Sequence, residues 1–576
     1  MEKRLIVAIV LSFLVLMGYQ YFFNKPNKPV ANPPTVAEGA PVSPAPAAGG
    51  LGQAMADRKP VAEPKPAAAA ENPAQALGTI PVGAQEKSGV TISTSLYEAE
   101  WTNQGAVLKS WRLKRHKDKA RKDLELVPAR AGELGLYPFS VGLEDAALAE
   151  RLNTQTLFDV RTTPPAVDGV VPLQNGESAE VTFTFYDGAS VKAEKVLRFT
   201  GGVYPIEIEV RIWKEGRRIS PSLLWGPGLG NPTAAELKQR YTTAKGVAYH
   251  IDGRIVRTPE KSLKPGQSAP TYVDWAAYED QYFTALFVLP TRSGQADFAR
   301  TAGENTADSY MYVKASPESG ADAKIYGFIG PKEMDALVAF GHDAKGVINY
   351  SKFIGISLKP IAEILLVAVK FFHKLVPNWG VAIILLTIAI KLLFFPLTYS
   401  STKSMAKMAD LQPKIKAIRA KYKKAKSDIA QRREMNEEMM KLYKAQGVNP
   451  AGGCLPLLIQ LPIFVAVYQM LVAAIEFRHS PFIPFWISDL SAMDKTFVLP
   501  ILMGGTQFIS QKMTPTSADP AQAKMMLFMP IIMTFFFAWA QSGLVLYWLT
   551  SNVLQIGQQA LMNKIMHRHP APAKAR

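Results

Sequence analysis

The sequence predicts a polytopic α-helical membrane protein with six transmembrane helices, a β-sandwich domain outside the membrane and a basic helical hairpin inside it. Three observations carry this expectation. Apolar runs near the length that crosses about 30 Å of hydrocarbon recur along the C-terminal part. Residues from roughly 90 to 340 alternate apolar and polar groups with period two. The segment 401–450 holds 13 Lys or Arg against five Asp or Glu, and a short loop so basic belongs on the cytoplasmic side. The 576 residues carry a formal net charge of +17, and the mean hydropathy of +0.02 blends apolar segments with a polar middle. Cys454 is the one cysteine, which excludes an intrachain disulfide framework and a cysteine-based metal cluster.

At the N-terminus, Lys3 and Arg4 precede an apolar run from Leu5 to Met17, and Tyr19, Tyr21, Phe22 and Phe23 follow it. A signal peptide has the same start, but no small-x-small cleavage pattern follows closely, whereas the aromatic cluster suits a membrane interface. Residues 1–25 are therefore expected to be an uncleaved anchor with a cytoplasmic N-terminus. Residues 26–88 read as a linker, because 26–75 alone contains 11 prolines among alanines and glycines and cannot bury enough apolar surface to fold.

The β-domain is expected over 89–342. In PIEIEVRIW, residues 205–213, Ile206, Ile208, Val210 and Ile212 alternate with Glu207, Glu209 and Arg211, which predicts a strand with one apolar and one charged face. VTFTFYDG, residues 181–188, repeats the pattern. The acidic residues follow strand periodicity, so solvated faces explain them better than a carboxylate pair in acid/base work. Residues 343–377 then predict an amphipathic helix lying along the interface, because Lys359, Glu363, Lys370, His373 and Lys374 interrupt its apolar residues too often for a comfortable span.

Five spans follow: 378–400 (Trp379 to Thr398), 451–476 (Cys454 to Ile475), 495–511 (Thr496 to Ser510), 524–541 (Met525 to Ala540) and 542–563 (Leu544 to Met562). Counting outward from the basic loop places 477–494 outside, and 512–523 and the tail 564–576 inside. Within 401–450, Met405, Met408, Leu411, Ile415, Ile418 and Tyr422 recur at spacings of three and four, and Met435, Met439 and Leu442 continue the pattern. Two amphipathic helices in a hairpin, with one apolar seam and basic flanks, are predicted. Such a surface suits anionic phospholipid headgroups or ribosomal RNA. It lacks the aromatic interleaving and Gly-rich loops that specific nucleic-acid recognition would use.

One residue breaks the pattern of the spans. Lys391 lies within LLTIAIKLLFFPLT, residues 385–398, where a cation costs roughly 2.5–3.5 kcal/mol on insertion scales and usually faces a wet cavity. Thr387 shares its helical face. Gln460, Gln469, Gln507, Asn552, Gln555, Gln558 and Gln559 bring further polar groups from other spans. Three readings are open from these residues: a groove that handles polar parts of a substrate, a transporter or channel, and a structural cation. A proton- or sodium-coupled transporter calls for an intramembrane carboxylate, and the middles of the spans contain none. Met525, Met526, Met529, Met533, Phe535 to Phe537, Tyr547 and Trp548 could form an adaptable apolar wall, or be ordinary lipid-facing and packing residues.

The runs PNWGVAIILLTIAIKLLFFPLT, MAKMADLQPKIKAIRAKYK, EEMMKLYKAQGVNPAGGCLPLLIQLPIFVAVYQML, LPILMGGTQFISQKM and FMPIIMTFFFAWAQSGLVLYWLTSNVLQIGQQ resemble the YidC/Oxa/Alb family of membrane protein insertases. The resemblance covers 345–565 in order, and the anchor, linker and outside domain resemble its Gram-negative form, in which that domain is periplasmic. It implies a five-helix insertase core, a β-supersandwich fold for the outside domain, and an inner-membrane insertase and chaperone for nascent membrane proteins. That activity is exerted alone or with the Sec translocon. It also implies that Lys391 is the groove charge where the family commonly has arginine, and that Thr387, Gln460, Tyr547, Trp548 and Asn552 line the groove or meet the substrate. The hairpin then makes early contact with substrate or ribosome. The short, mildly basic tail makes ribosome contact transient and weak. Neither an enzymatic activity nor a cofactor is expected, and no Gly-rich phosphate loop is visible.

Overall fold

The computed structural model describes residues 81–118, 120–231, 245–264, 267–269, 272–289, 294–300, 309–315, 324–350, 357–422, 428–447, 455–513 and 520–567. The chain divides into two units, Met1–Thr79 and Ile80–Arg576. The expected anchor and all but the last residues of the linker lie outside the described residues.

The second unit begins as a large β-sheet domain. Its central sheet has ten strands, flanked by two sheets of five. Six central strands are β1 (Ser178–Tyr186), β2 (Val191–Thr200), β3 (Pro205–Lys214), β4 (Trp275–Glu279), β5 (Phe283–Val288) and β6 (Ile325–Pro331). They pair antiparallel in the order β4-β5-β6-β3-β2-β1. Registers such as Ile206↔Phe199 and Ile208↔Leu197 put apolar residues opposite one another on a single face. All three sheets contribute rings to one core. Trp101 meets Phe139 at 4.7 Å and Phe183 and Phe199 at 6.3 Å, while Phe139 and Phe287 meet Trp225 at 6.4 and 6.1 Å.

The period-two pattern of β3 holds for Ile206, Ile208 and Ile212, which are buried, and fails at Glu209, which is buried as well. Glu209 is not on a solvated face. Arg198 donates to it at 2.6 Å, Arg211 clamps it from the same strand, and Lys324 stands 3.6 Å away. Arg198 also reaches Glu180 on β1 at 2.8 Å, so a charge ladder crosses the sheet. Long cationic side chains folded over the sheet cover what periodicity alone leaves exposed.

The helical region opens with α1 (Lys359–Leu375). Ala362, Leu365, Leu366 and Val369 are buried, whereas Ile364, Val367, Phe371 and Leu375 are more than half exposed. The helix is therefore apolar on two faces. Lys370 does not reach away toward headgroups. It pairs with Asp335 of the β-domain at 2.5 Å and with Glu476 at 3.5 Å. Gln281 donating to the Val472 carbonyl at 2.8 Å, and Arg478 donating to the Lys117 carbonyl at 3.1 Å, add to this junction.

Next come α2 (Trp379–Leu393), α3 (Phe395–Asp410), α4 (Gln412–Lys421), α5 (Ile429–Ala445), α6 (Leu455–Ala473), α7 (Val498–Met513), α8 (Pro520–Phe537) and α9 (Ser542–His567). The span expected as one helix from Trp379 to Thr398 is broken. α2 and α3 meet at a 59° bend. Pro396 supplies the reason, since it cannot donate to the helix ladder and its ring crowds the preceding turn. Among the described residues no single helix is both long and apolar enough to cross a membrane by itself, and this bent pair is the combination that is. α7 and α8 approach closely at Gly504, where an added Cβ would stand 1.8 Å from Thr534 Oγ1.

α3 also overruns the expected start of the hairpin at 401, and Pro413 begins α4 without kinking it. The apolar seam is shorter than the sequence pattern suggests. Met408, Leu411 and Ile415 are buried with Met439, Leu442 and Tyr443 packed on them, while Met405, Ile418, Tyr422 and Met435 are half-buried outside that cluster. Lys421 joins α4 to α5 through Glu438 at 3.0 Å.

Candidate functional site

Asn378 starts α2 by accepting a hydrogen bond from the Val381 amide at 3.1 Å. Twelve residues after Trp379, in the last turn, the helix carries Lys391. The Lys391 Nζ donates to Gln555 Oε1 on α9 at 3.0 Å. Among the described residues no carboxylate pairs with it. One turn earlier Thr387 is buried, its hydroxyl donating to the Ile383 carbonyl at 2.7 Å, so it closes its own helix and presents little free polarity.

Beside Lys391 lies a cavity of ≈ 40 Å³, walled by Thr387, Phe394 and Thr398 from the α2–α3 bend, Gln460 and Ile463 from α6, and Tyr547 from α9. A water needs about 10–15 Å³ of such space and two or more polar partners, so the volume suits two or three. Lys391 and Gln460 are the polar groups able to hold them; the Thr398 hydroxyl, like that of Thr387, donates to a carbonyl one turn back, Phe394 at 3.0 Å, and has only acceptor capacity left.

Of the five lining residues expected from sequence, the structure brings Thr387, Gln460 and Tyr547 to this cavity. Trp548 and Asn552 are elsewhere. The Trp548 indole donates to Gln507 Oε1 at 3.0 Å, and its ring packs on Phe464 at 4.5 Å and Phe537 at 4.9 Å. Asn552 is buried and donates to the Met503 carbonyl at 3.2 Å and to Thr506 at 3.4 Å. The reason is helical geometry. On α9, Tyr547, Ser551 and Gln555 follow one another at spacings of four and share a stripe, while Trp548 and Asn552 sit 100° round and face α7. Gln555, the direct partner of Lys391, was visible in sequence only as one polar residue among several. The spacing of eight from Tyr547 was the signal that could have singled it out.

The expected apolar wall is partly outward. On α8 Phe528, Ile531 and Phe535 are 63%, 65% and 62% exposed, Met529 is also exposed, and Phe537 turns inward onto Trp548. The side chains of Met525 and Met526 lie outside the described residues.

The β-domain buries cations of a different kind. Lys195 donates to the carbonyls of Ala106 at 2.6 Å and Phe139 at 2.8 Å, and burial pushes its pKa down to about 7. Lys332 sits against Glu279 at 2.7 Å. Burial lowers its pKa too, with Glu279 opposing the shift. Arg257 completes that cluster, donating to Glu279 at 2.8 Å.

Comparison with known proteins separates the same two regions. Residues 89–364 match the YidC periplasmic domain, and residues 371–569 match the 60Kd inner membrane protein family. The membrane protein insertase YidC of Syntrophus aciditrophicus is 36% identical over 98% of this chain and 100% of its own. Those of Pelobacter propionicus and Geobacter sulfurreducens are 33% and 35% identical, each over 98% of this chain and over 100% and 98% of their own lengths. A two-region match at such identity over nearly the whole length leaves one conclusion: the chain belongs to the YidC family of membrane protein insertases.

Proposed function

We propose that this protein inserts nascent inner-membrane proteins by drawing the polar segment of an incoming chain toward Lys391, while the apolar segment leaves along the outward faces of the helices into lipid. The observation that carries the reading is a cation with no carboxylate partner among the described residues, held by a neutral amide beside a small cavity of mixed polar and apolar lining. A neutral partner cancels none of the charge that a passing carboxylate would meet. A polar group crossing hydrocarbon without a partner costs several kcal/mol, so even a short wet recess lowers the barrier. The apolar segment then gains roughly 25 cal/mol per Å² on leaving water, and no nucleotide is required to drive release.

In this reading residues 1–25 and α2, α6, α7, α8 and α9 are the six transmembrane helices, the last five forming the insertase core. α1 lies along the outer interface, the β-supersandwich is periplasmic, and both termini and the α3–α5 hairpin are cytoplasmic. The exposed Phe528, Ile531, Phe535, Ile501 and Leu392 support it, because an apolar surface of this extent is uncommon on a protein facing water. The basic hairpin meets anionic phospholipids and, transiently and weakly, the ribosome. The Sec translocon is a partner for substrates that need it, and specific nucleic-acid recognition plays no part.

Site-specific photocrosslinkers test the route. Placed at Thr387, Gln460 and Tyr547, they should capture a stalled nascent membrane protein, and one at Trp548 should not. Capture from Trp548 alone would move the path to the other side of α9.

A further inference from the structure

We propose that Gln555 is a positioning and specificity-determining residue: a neutral latch that holds the Lys391 ammonium toward the cavity and yields it to a carboxylate of the incoming chain. This rests on the reading of Lys391 given above and adds to it the group that sets which tails are accepted.

The Gln555 Oε1 accepts from Lys391 at 3.0 Å, which gives the ammonium one protein acceptor. An amide carries no charge, so the pair remains a net cation. A glutamate in its place would form a buried ion pair and cancel the attraction that the cavity offers. An aliphatic residue would remove the acceptor, and a lysine side chain in apolar surroundings would swing toward the nearest polar surface. Gln is thus a residue type that fixes the cation in place without quenching it. Hydrogen bonds between two ions are shorter and stronger than those with one neutral partner. A substrate carboxylate arriving at Lys391 therefore outcompetes the amide, and the amide recloses when the substrate leaves.

The neighbours on α9 confirm that Gln555 is singled out by direction. Ser551 and Gln559, one turn to either side, are both buried. Gln559 spends its amide on Asn563 at 3.2 Å within the same helix. Gln555 is the residue of this polar stripe that reaches across to α2.

The test uses the full chain in vesicles and two model substrates with one apolar span. One substrate has aspartates in its translocated tail, and the other has asparagines at the same places. The readout is the ratio of acidic-tail to neutral-tail insertion, measured by protease protection, which a general folding defect would not change. Gln555→Glu should lower the ratio about tenfold or more through loss of the free charge. Gln555→Asn, which keeps the amide, should lower it far less. The double variant Lys391→Gln with Gln555→Lys moves the cation across the contact and should recover most of the ratio lost in Lys391→Gln. A wild-type ratio in Gln555→Glu, or no recovery in the double variant, overturns the latch. If Lys391→Ala lowers the ratio and Gln555→Glu does not, the latch alone fails. A wild-type ratio in Lys391→Ala removes the electrostatic role of Lys391 itself.

Discussion

The β-domain buries two lysines and the helical region half-buries a third, and the two regions satisfy them in opposite ways. Lys195 donates to two backbone carbonyls that cannot move without unmaking the fold. Lys332 is locked to Glu279 and to the Asp280 carbonyl, both at 2.7 Å. Lys391 has one side-chain amide and a cavity. The difference teaches that a cation held away from water is structural when its partners are backbone carbonyls or charges, and open to exchange when its one partner is a neutral side chain.

Substituting methionine for each lysine breaks the comparison most directly. Lys332→Met should cost the most, about 3–5 kcal/mol, because Glu279 is left buried with one partner fewer. Thermal unfolding of the purified protein, followed by tryptophan fluorescence, reads the loss. A cost below that of an ordinary core substitution would mean that Arg257 alone suffices for Glu279.

Lys195→Met should have a smaller effect that depends on pH. The folded pKa is about 7 against the ordinary 10.5. Between these values the unfolded chain holds a proton that the folded chain has lost, so wild-type stability rises with pH across the window and the burial penalty is full below pH 7. The two N–H groups of a neutral amine match its two carbonyl acceptors. Methionine removes the titration and leaves the carbonyls of Ala106 and Phe139 without their donor. The variant should be less stable than wild type by about 1–3 kcal/mol at pH 9, and the gap should narrow or reverse by pH 6. Unfolding measured at both pH values decides it, and an equal gap at both would mean that Lys195 does not titrate there.

Lys391→Met should change unfolding by less than about 1 kcal/mol, since one hydrogen bond is lost and a desolvated cation is removed. Insertion of an acidic-tailed substrate should nevertheless fall about tenfold, which corresponds to 1.4 kcal/mol of lost attraction. Lys391→Arg should keep it. A large stability loss in Lys391→Met would place this lysine with the other two. Smallest of all, Lys421→Ala at the exposed hairpin pair should leave the unfolding midpoint almost unmoved, and whatever difference low salt shows should vanish in high salt.

Much of the architecture was legible because it rests on local repetition. Ile206, Ile208 and Ile212 announce a strand by alternation, and Met408, Leu411 and Ile415 announce a helix seam. The parts that were not legible depend on partners remote in sequence. Glu209 reads as exposed until Arg198 and Arg211 are laid over it. Met405, Ile418 and Tyr422 fit the seam by spacing, but the packed length of α4 against α5 is shorter than the pattern. At the site, Lys391 stood out because a cation in an apolar run is costly wherever it lies. Its partner did not stand out, because α9 carries several amides and only the rotation of that helix against α2 chooses among them. The same rotation turns Trp548 and Asn552 toward Gln507 and Met503 of α7, which their spacing alone did not foretell.

The bend between α2 and α3 has an electrical consequence. By ending α2 at Leu393, it leaves the negative pole of a helix within two residues of Lys391, where peptide carbonyls favour a positive charge by about 0.3–1 kcal/mol or more. The lysine is thus made tolerable in an apolar setting by a proline rather than by an acid, and no resident anion has to be displaced before a substrate can arrive. Charge and vacancy at this depth are two results of one interrupted helix.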